Sequence, residues 1–389
     1  MNLIKDKIKQ AIGILGELDI DLWLVFLRES DMMADPVMPL VIGRSVVWQS
    51  AFFFHRSGDT AALVGNFDMA DFEKSGHFSR VIPYVQDCGT EIRRMVKKYK
   101  PARIALDFST DNCAADGLTH GMYLLLNEYL KDTPYIDRFV SSENLISLLR
   151  GRKTAEEITR LGKAAEAAND IWPEIISRVR PGLTEKAIGA MIDQAIKDRG
   201  HVNSFETIVN AGSKTSPGHG HPTDAVLEKG DLLHVDFGLR YDGYCSDIQR
   251  LAYIRKEAEN TAPPELTAAF AMVRKIITET SKLYTPGRKG YRIDAVARKM
   301  LKENGYPEYQ HALGHQIGQS VHDGAAIVGP RWKRYGRTAE IPLEKNNAFT
   351  VELGIDVDNI GYAGLEEDLI VTEKGGKFLC PPQEELNVI

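Results

Sequence analysis

The chain has 389 residues, 43% of them hydrophobic and 26% charged, and its formal net charge is −6. This length suggests at least two domains of roughly 150 residues, and the composition excludes a disordered chain. A mildly acidic chain without an apolar run of roughly 18 residues is expected to have no nucleic-acid partner and no membrane partner.

The first predicted element is an amphipathic helix, because apolar residues recur at helical spacing at Ile4, Ile8, Ile12 and Leu15. Lysines interrupt this segment, so we do not expect a signal peptide. The cysteines are scattered and form no CxxC pair, which indicates neither a disulfide framework nor a cysteine zinc site. A reducing, cytoplasmic location is the simplest expectation.

The first block, residues 1–148, mixes strand and helix patterns and therefore predicts an α/β domain. Apolar runs predict strands at 22–27, 46–54, 61–64 and 103–106. Helical patterns cover 90–99 and 121–130. We find no catalytic constellation in this block.

The second block, residues 149–389, begins with a helix signal. Thr154 and Glu157 form a capping box. A long helix is expected to follow, to about Arg180, and Thr184 should open a second helix that ends near Gly200. The residues with chemical potential concentrate in this block.

An aspartate pair lies on a predicted hairpin. Asp242-Gly243 favours a two-residue turn, so Tyr241 should face Tyr244. The residue numbers of each facing pair along the hairpin should then sum to 485. Asp236 and Asp247 then become neighbours on one face, about 7 Å apart at Cα, with Gly238 expected to leave the space between them empty. A buried charge needs a partner, and a metal ion would stabilise both carboxylates. Ordinary strand-end aspartates are the alternative.

Three histidines, His311, His315 and His322, lie within twelve residues. Gly314 and Gly318 argue against a regular helix here, and the spacing is not that of an HExxH motif. Glycines among histidines indicate backbone close to a ligand or a metal.

Glutamates complete the set. Glu352 interrupts an apolar run with strand character, as Asp236 does. Glu366 and Glu367 precede the apolar segment 369–371, where a solvated strand entrance is the alternative interpretation.

In chain order these residues form the pattern Asp236, Asp247, His315, Glu352, Glu366. The pattern resembles the dinuclear site of the pita-bread metallopeptidases, which include aminopeptidase P and prolidase. The first block resembles the creatinase-type N-terminal domain of these enzymes, a domain that methionine aminopeptidase lacks. The resemblance implies an α+β fold, with this N-terminal domain at 1–148 and a pita-bread catalytic domain at 149–389.

The resemblance also implies roles. Asp236 would bind one metal and His315 the other, while Asp247 and Glu366 would bridge the two. Glu352 would bind metal and assist proton transfer. The accessory catalytic histidines would be His219, His311 and His322.

Position 364 departs from the family pattern. The family often has an arginine two residues before the last glutamate ligand, and this chain has Gly364. The departure removes an expected partner of the metal site, and it keeps Glu367 open as an alternative to Glu366.

Four carboxylates and one imidazole form an oxygen-rich site for two divalent ions. Mn²⁺ is the first expectation, with Co²⁺, Fe²⁺ and Zn²⁺ as alternatives. Two metals can share one water and lower its pKa, so a metal-bridging hydroxide is the expected nucleophile.

The resulting hypothesis is a metallopeptidase that cleaves Xaa-Pro bonds, either an Xaa-Pro aminopeptidase (aminopeptidase P) or an Xaa-Pro dipeptidase (prolidase). An alternative is the same fold acting on a non-peptide small molecule, as in ectoine hydrolase or creatinase-like enzymes. A non-catalytic binding module is the third hypothesis, and the intact ligand set argues against it. A homodimer is expected from the resemblance alone.

Overall fold

The computed structural model describes residues 3–214 and 220–389, without the side chain of Lys214. The chain divides into two compact units, one ending at Arg150 and one beginning at Gly151. Within the described ranges, no helix has the length and apolar character needed to cross a bilayer.

The N-terminal unit is built on a six-stranded mixed sheet with the order β4-β3-β2-β1-β5-β6. The strands are β1 (Leu22–Leu27), β2 (Ser50–His55), β3 (Thr60–Gly65), β4 (Arg80–Tyr84), β5 (Ile104–Leu106) and β6 (Phe139–Ser141). Strand β2 is antiparallel to both β1 and β3, whereas β4, β5 and β6 pair in parallel with their neighbours.

Helices cover both faces of this sheet, which explains why β1 is buried along its whole length. Trp23 and Val25 pack into one apolar cluster, with α1, while Leu22 and Leu24 pack into another, with α4 and α5. The helices are α1 (Leu3–Glu17), α2 (Met38–Val41), α3 (Met69–Ser75), α4 (Gly89–Tyr99), α5 (His120–Leu130) and α6 (Glu143–Gly151).

The C-terminal unit begins with the predicted capping box. The Thr154 side chain accepts a hydrogen bond from the Glu157 backbone, and the Glu157 carboxylate accepts one from the Thr154 backbone. The helices of this unit are α7 (Ala155–Asn169), α8 (Ile171–Arg178), α9 (Glu185–Asp198), α10 (Pro264–Ser281) and α11 (Gly290–Glu303).

The prediction of one continuous helix to about Arg180 is wrong. The helix ends at Asn169, and a separate helix starts at Ile171. Pro173 explains the break, because proline has no N–H to donate to the carbonyl of residue 169 and its ring crowds that carbonyl. The predicted second helix, capped by Thr184, is confirmed.

The main sheet of this unit has seven strands, with β15-β16-β12-β9-β8 in order and with β17 and β18 at its margins. Strands in this unit are β7 (Val202–Asn203), β8 (Ile208–Ala211), β9 (Leu232–Phe237), β10 (Leu239–Tyr241), β11 (Tyr244–Cys245), β12 (Ile248–Tyr253), β13 (Gly314–His315), β14 (Ile327–Val328), β15 (Ala348–Val357), β16 (Gly361–Thr372), β17 (Gly375–Phe378) and β18 (Asn387–Val388). One sheet face packs into a cluster with α7–α9, and the other into a cluster with α10 and α11. The α+β prediction is confirmed.

The predicted hairpin register is confirmed. Tyr241 pairs with Tyr244, and the same register continues where β12 pairs with β9. The expected role of Gly238 is wrong, because it does not leave an empty space between the aspartates. A Cβ there would overlap the backbone oxygen of Ser246, so glycine is required by the close approach of two backbones.

Candidate metal centre

Four polar side chains form one row across the middle of the large sheet. Asp236 on β9 pairs with Gln249 on β12, Gln249 pairs with Glu366 on β16, and Glu366 pairs with Glu352 on β15. Directly paired residues point to the same face. Asp247 precedes Gln249 by two residues, and its carboxyl group lies within hydrogen-bonding distance of Asp236.

His315 faces this row from β13, which runs beside β15. The His315 backbone N–H donates to Thr350 Oγ1 at 3.2 Å. A Cβ at Gly314 would overlap the Thr350 carbonyl oxygen, so glycine lets the two segments approach. Gly314 and Gly318 argued against a helix here, and Gly314–His315 indeed forms a short strand.

The His315 ring nitrogens have different surroundings. Nε2 lies 3.7 Å from Asp247 Oδ2, 3.8 Å from Glu366 Oε1 and 3.9 Å from Glu352 Oε1. Nδ1 lies 3.3 Å from the Gln316 carbonyl oxygen. A proton on Nδ1 would be donated to that carbonyl, which leaves the Nε2 lone pair directed at the carboxylates.

Two of the carboxylates are deeply buried, with Asp247 4% exposed and Glu366 2% exposed, whereas Asp236 and Glu352 are half-buried beside the cavity. Burial, followed by repulsion from neighbouring carboxylates, raises the pKa of both groups. Burial also raises the pKa of Asp236 to about 7 and that of Glu352 to about 8. Four acids in one buried place are unfavourable unless a cation stabilises their charged forms.

Several buried oxygens in this group suit a metal. Within residues 3–214 and 220–389, no hydrogen-bond donor reaches Oδ1 of Asp236, Oδ1 of Asp247 or Oε1 of Glu366. Ligand atoms of Asp247, His315 and Glu366 lie within 4.8 Å of one another. This donor set of carboxylate oxygens and one imidazole nitrogen fits a hard divalent cation.

Glu366 and Glu367 point to opposite faces of β16, as adjacent residues in a strand do. Glu367 Oε2 lies 3.1 Å from Arg250 Nη2, and Glu367 Oε1 accepts a hydrogen bond from the Gln383 backbone at 2.9 Å. This arrangement favours Glu366 as the ligand. The expectation that both glutamates precede a strand is wrong, because β16 already begins at Gly361.

The accessory histidines fall into two groups. His311 and His322 line the same cavity as the carboxylate row, and the ring centroids of His322 and His315 are 4.3 Å apart. His219, the third predicted histidine, lies outside the described residues.

The cavity beside the row has a volume of about 850 Å³, which suits a small peptide or another small molecule. Its walls combine the acidic row with aromatic and apolar side chains, among them Phe205, Tyr309, Tyr335, Ile355 and Tyr362.

Sequence reasoning missed two buried residues of the site, His234 and Gln249. His234 Nε2 lies 3.0 Å from Gln249 Oε1, and Gln249 Nε2 lies 2.8 Å from Glu366 Oε2. Burial lowers the pKa of His234 to about 4, so its ring is neutral near pH 7. The available signal was spacing, because each residue is two positions from a predicted aspartate ligand and therefore shares its face.

Comparison with known proteins gives consistent matches. Residues 159–373 match the model of metallopeptidase family M24. The Xaa-Pro dipeptidase of Pyrococcus furiosus is 30% identical over 261 residues, covering 67% of this chain and 71% of that protein. The Xaa-Pro dipeptidase of Pyrococcus horikoshii is 25% identical over 391 aligned residues, covering 99% and 100%. A solved structure of an Xaa-Pro dipeptidase from Bacillus anthracis has a TM-score of 0.79 at 25% identity and covers 99% of each chain.

Proposed function

Because this chain belongs to metallopeptidase family M24 and has its pita-bread fold, we propose that it hydrolyses Xaa-Pro peptide bonds. The observation that carries the proposal is the row of carboxylates beside the cavity, with the Nε2 atom of His315 facing it. Two relatives named as Xaa-Pro dipeptidases support the substrate class. We assign residues 1–148 to a creatinase-type N-terminal domain and 149–389 to the catalytic domain.

The family implies divalent metal ions. We assign Asp236 to one ion, His315 to the other, and Asp247 and Glu366 to both, with Glu352 as a further ligand. Asp247 Oδ2 and Glu366 Oε1 lie 3.7 and 3.8 Å from His315 Nε2, which supports the bridging roles. The oxygen-rich donor set favours Mn²⁺, with Co²⁺, Fe²⁺ and Zn²⁺ as alternatives. Such a pair of ions would lower the pKa of a water and polarise the scissile carbonyl.

The remaining roles belong to side chains of the chain itself. Glu352 would pass a proton to the departing nitrogen, which in a proline peptide is a tertiary amide nitrogen without its own proton. His322 and His311 line the cavity and would donate hydrogen bonds to the substrate backbone and to the negative charge that develops on its carbonyl oxygen. The same role is proposed for His219.

The test uses Mn²⁺-loaded protein with Ala-Pro, Ala-Pro-Ala and Ala-Ala-Ala. Cleavage of Ala-Pro alone means an Xaa-Pro dipeptidase, and cleavage of Ala-Pro-Ala with little on Ala-Ala-Ala means an Xaa-Pro aminopeptidase. No cleavage of any peptide by protein with metal bound would overturn the proposal and point to a non-peptide substrate, such as that of ectoine hydrolase or a creatinase-like enzyme.

We also propose a cytoplasmic homodimer. Exposed apolar side chains on the N-terminal unit support self-association, with Met32 and Phe67 each 83% exposed. Sedimentation velocity should show a dimer, and Phe67→Asp should weaken it. Cys88, Cys113, Cys245 and Cys380 are free thiols, which is consistent with a reducing compartment, and cell fractionation would test this location.

A further inference from the structure

We propose that Gln249 positions Glu366 and Glu352 in the metal centre, in place of the arginine that the family often has at the position of Gly364. This inference rests on the proposed function, because it concerns the residues assigned to the same pair of metal ions. It makes Gln249 a positioning residue, since it would act through the glutamates.

Gln249 lies in the middle of the row, between Asp236 and Glu366. Its Nε2 donates to Glu366 Oε2 at 2.8 Å and lies 3.4 Å from Glu352 Oε2. One side-chain amide carries two hydrogens, so it can hold both glutamates at a fixed separation. Each carboxylate then keeps its other oxygen for a metal ion.

The orientation of the amide is fixed by a chain of contacts. In the ionised form that binds a metal ion, carboxylates only accept hydrogen bonds, so the Gln249 NH₂ group must face the glutamates and its Oε1 must face His234. Gln249 Oε1 therefore accepts from His234 Nε2 at 3.0 Å. His234 Nδ1 is then the acceptor for Asn210 Nδ2 at 3.2 Å. A single assignment of hydrogens satisfies every contact from Asn210 to Glu366.

Gly364 makes room for this chain of contacts. A Cβ at position 364 would overlap the Tyr362 ring and would lie 2.8 Å from Gln249 Oε1 and 3.0 Å from His234 Nε2. The amide and imidazole therefore occupy the space that a longer side chain at 364 needs. An arginine at this position and the Gln249–His234 pair exclude each other.

The replacement changes the charge of the site. An arginine would orient the carboxylates and also neutralise part of their charge, whereas a glutamine orients them without adding a positive charge. The four carboxylates therefore depend on the metal ions for neutralisation. Metal affinity is the property most directly sensitive to Gln249.

The first test is Gln249→Leu, which keeps the side-chain volume and removes both donors. Isothermal titration calorimetry with Mn²⁺ should show affinity reduced by about 10- to 100-fold for at least one ion. Mn²⁺ electron paramagnetic resonance should show altered coupling between the two ions. Gln49→Leu is the control, because Gln49 is a partly buried glutamine of the N-terminal unit whose Oε1 accepts a hydrogen bond from the Tyr129 hydroxyl at 2.8 Å; this variant should bind Mn²⁺ as wild type does.

A rescue experiment separates positioning from folding. Because a Cβ at position 364 would also overlap the Tyr362 ring, Gly364→Arg is combined with both Gln249→Ala and Tyr362→Ala. This triple variant should recover Mn²⁺ affinity relative to Gln249→Ala with Tyr362→Ala, whereas Gly364→Arg by itself should destabilise the unit through overlap with Gln249 and Tyr362. His234→Phe, one contact further out, should weaken Mn²⁺ binding by about fivefold, as expected for the loss of one hydrogen bond.

The outcomes distinguish the two proposals. Wild-type protein that binds no Mn²⁺ would overturn both the metal-dependent function and this inference. Wild-type protein that binds two ions, together with a folded Gln249→Leu variant that binds them equally well, would overturn the inference alone. Failure of the triple variant to recover affinity would overturn the part of the inference that gives Gln249 the role of the arginine.

Discussion

Each unit of the molecule contains a group of buried carboxylates, and the two groups are built differently. In the N-terminal unit, Asp35 and Asp107 are each 1% exposed, and their carboxyl groups lie within hydrogen-bonding distance of each other. Within residues 3–214 and 220–389, no donor reaches the Oδ2 atom of either residue. Trp23 Nε1 and Ser142 Oγ donate to Asp107 Oδ1 at 2.6 and 2.7 Å. The Val37 N–H donates to Asp35 Oδ1 at 3.0 Å. In the C-terminal unit, four carboxylates with few donors face a large cavity.

The difference shows how to recognise a candidate metal site among buried acids. Two carboxyl groups can share one proton, and protein donors can satisfy the remaining charge. Four carboxyl groups cannot be satisfied in this way, and His315 adds a nitrogen ligand beside them. Burial of carboxylates alone therefore does not identify a metal site. The informative features are an excess of carboxylates over hydrogen-bond donors and access to a cavity.

The largest expected effect comes from Asp247→Ala. Loss of a bridging ligand should remove several kcal/mol of transition-state stabilisation, which corresponds to at least about 10³-fold in hydrolysis rate, together with loss of Mn²⁺ binding. Asp107→Asn is the matched change in the other group and should leave both properties unchanged. Rapid hydrolysis by metal-free Asp247→Ala would contradict the assignment of the C-terminal carboxylates to a metal site.

Metal removal should affect only one unit. Mn²⁺ at about 100 times its dissociation constant should stabilise the C-terminal unit by about 2.7 kcal/mol. Buried thiols report on each unit: Cys88 in the N-terminal unit, and Cys245 and Cys380 in the C-terminal unit. In denaturant, Mn²⁺ should slow labelling of Cys245 and Cys380 but not of Cys88. Equal protection of all three cysteines from labelling would mean that Mn²⁺ stabilises both units, contrary to this prediction.

The N-terminal pair should respond to pH. Burial raises the pKa of Asp35 from 3.8 to about 6. The negative charge of Asp116 also raises this pKa, whereas the positive charge of Arg150 lowers it. Burial and the Asp35 charge raise the pKa of Asp107. The folded unit thus retains a proton that the unfolded chain releases. Its free energy of unfolding should fall as pH rises from about 4 to 6, by up to about 1.4 kcal/mol per pH unit.

The measurement is denaturant-dependent labelling of Cys88 between pH 4 and pH 6 with a dipyridyl disulfide, which reacts with thiols in acid. Asp107→Asn should flatten the dependence, because an amide donates to Asp35 without a titratable proton. A slope that survives this substitution would assign the proton to another group.

The smallest expected effect is that of Ser142→Ala. It removes one donor to Asp107 and should lower the stability of the N-terminal unit by about 1.5 kcal/mol, measured by the same labelling of Cys88. Mn²⁺ affinity should not change. A change in affinity would show that the two carboxylate groups are coupled.

Local patterns in the sequence predicted much of the fold. The Asp242-Gly243 turn gave the register of β9 and β12, because a two-residue hairpin fixes its strand pairing. Strand β1 and helix α5 were also predicted within one residue of their bounds. Strand β4, which contains Pro83 and is only partly buried, lacked the pattern of a buried strand and was missed.

Features that depend on distant pairing were less predictable. Choosing between Glu366 and Glu367 requires the register of β16 against β15 and β12, which local sequence does not determine. The contact between Gln249 and Glu366 was unpredictable for the same reason, although the spacing of Gln249 and His234 from the aspartates already indicated the face that they share. The need for glycine at 238 and 364 also arises from atoms of distant residues.

The row across four strands has a consequence for folding. Asp236 and Gln249 come from one pair of neighbouring strands, and Glu352 and Glu366 come from another pair that is distant in the sequence. A shift of one strand by one residue would turn its side chain to the opposite face. A cation that needs all the carboxylates as ligands would bind only a sheet in which every strand is paired in the correct register. Binding of the ion would therefore stabilise the correctly paired sheet relative to collapsed chains in which a strand is paired in the wrong register.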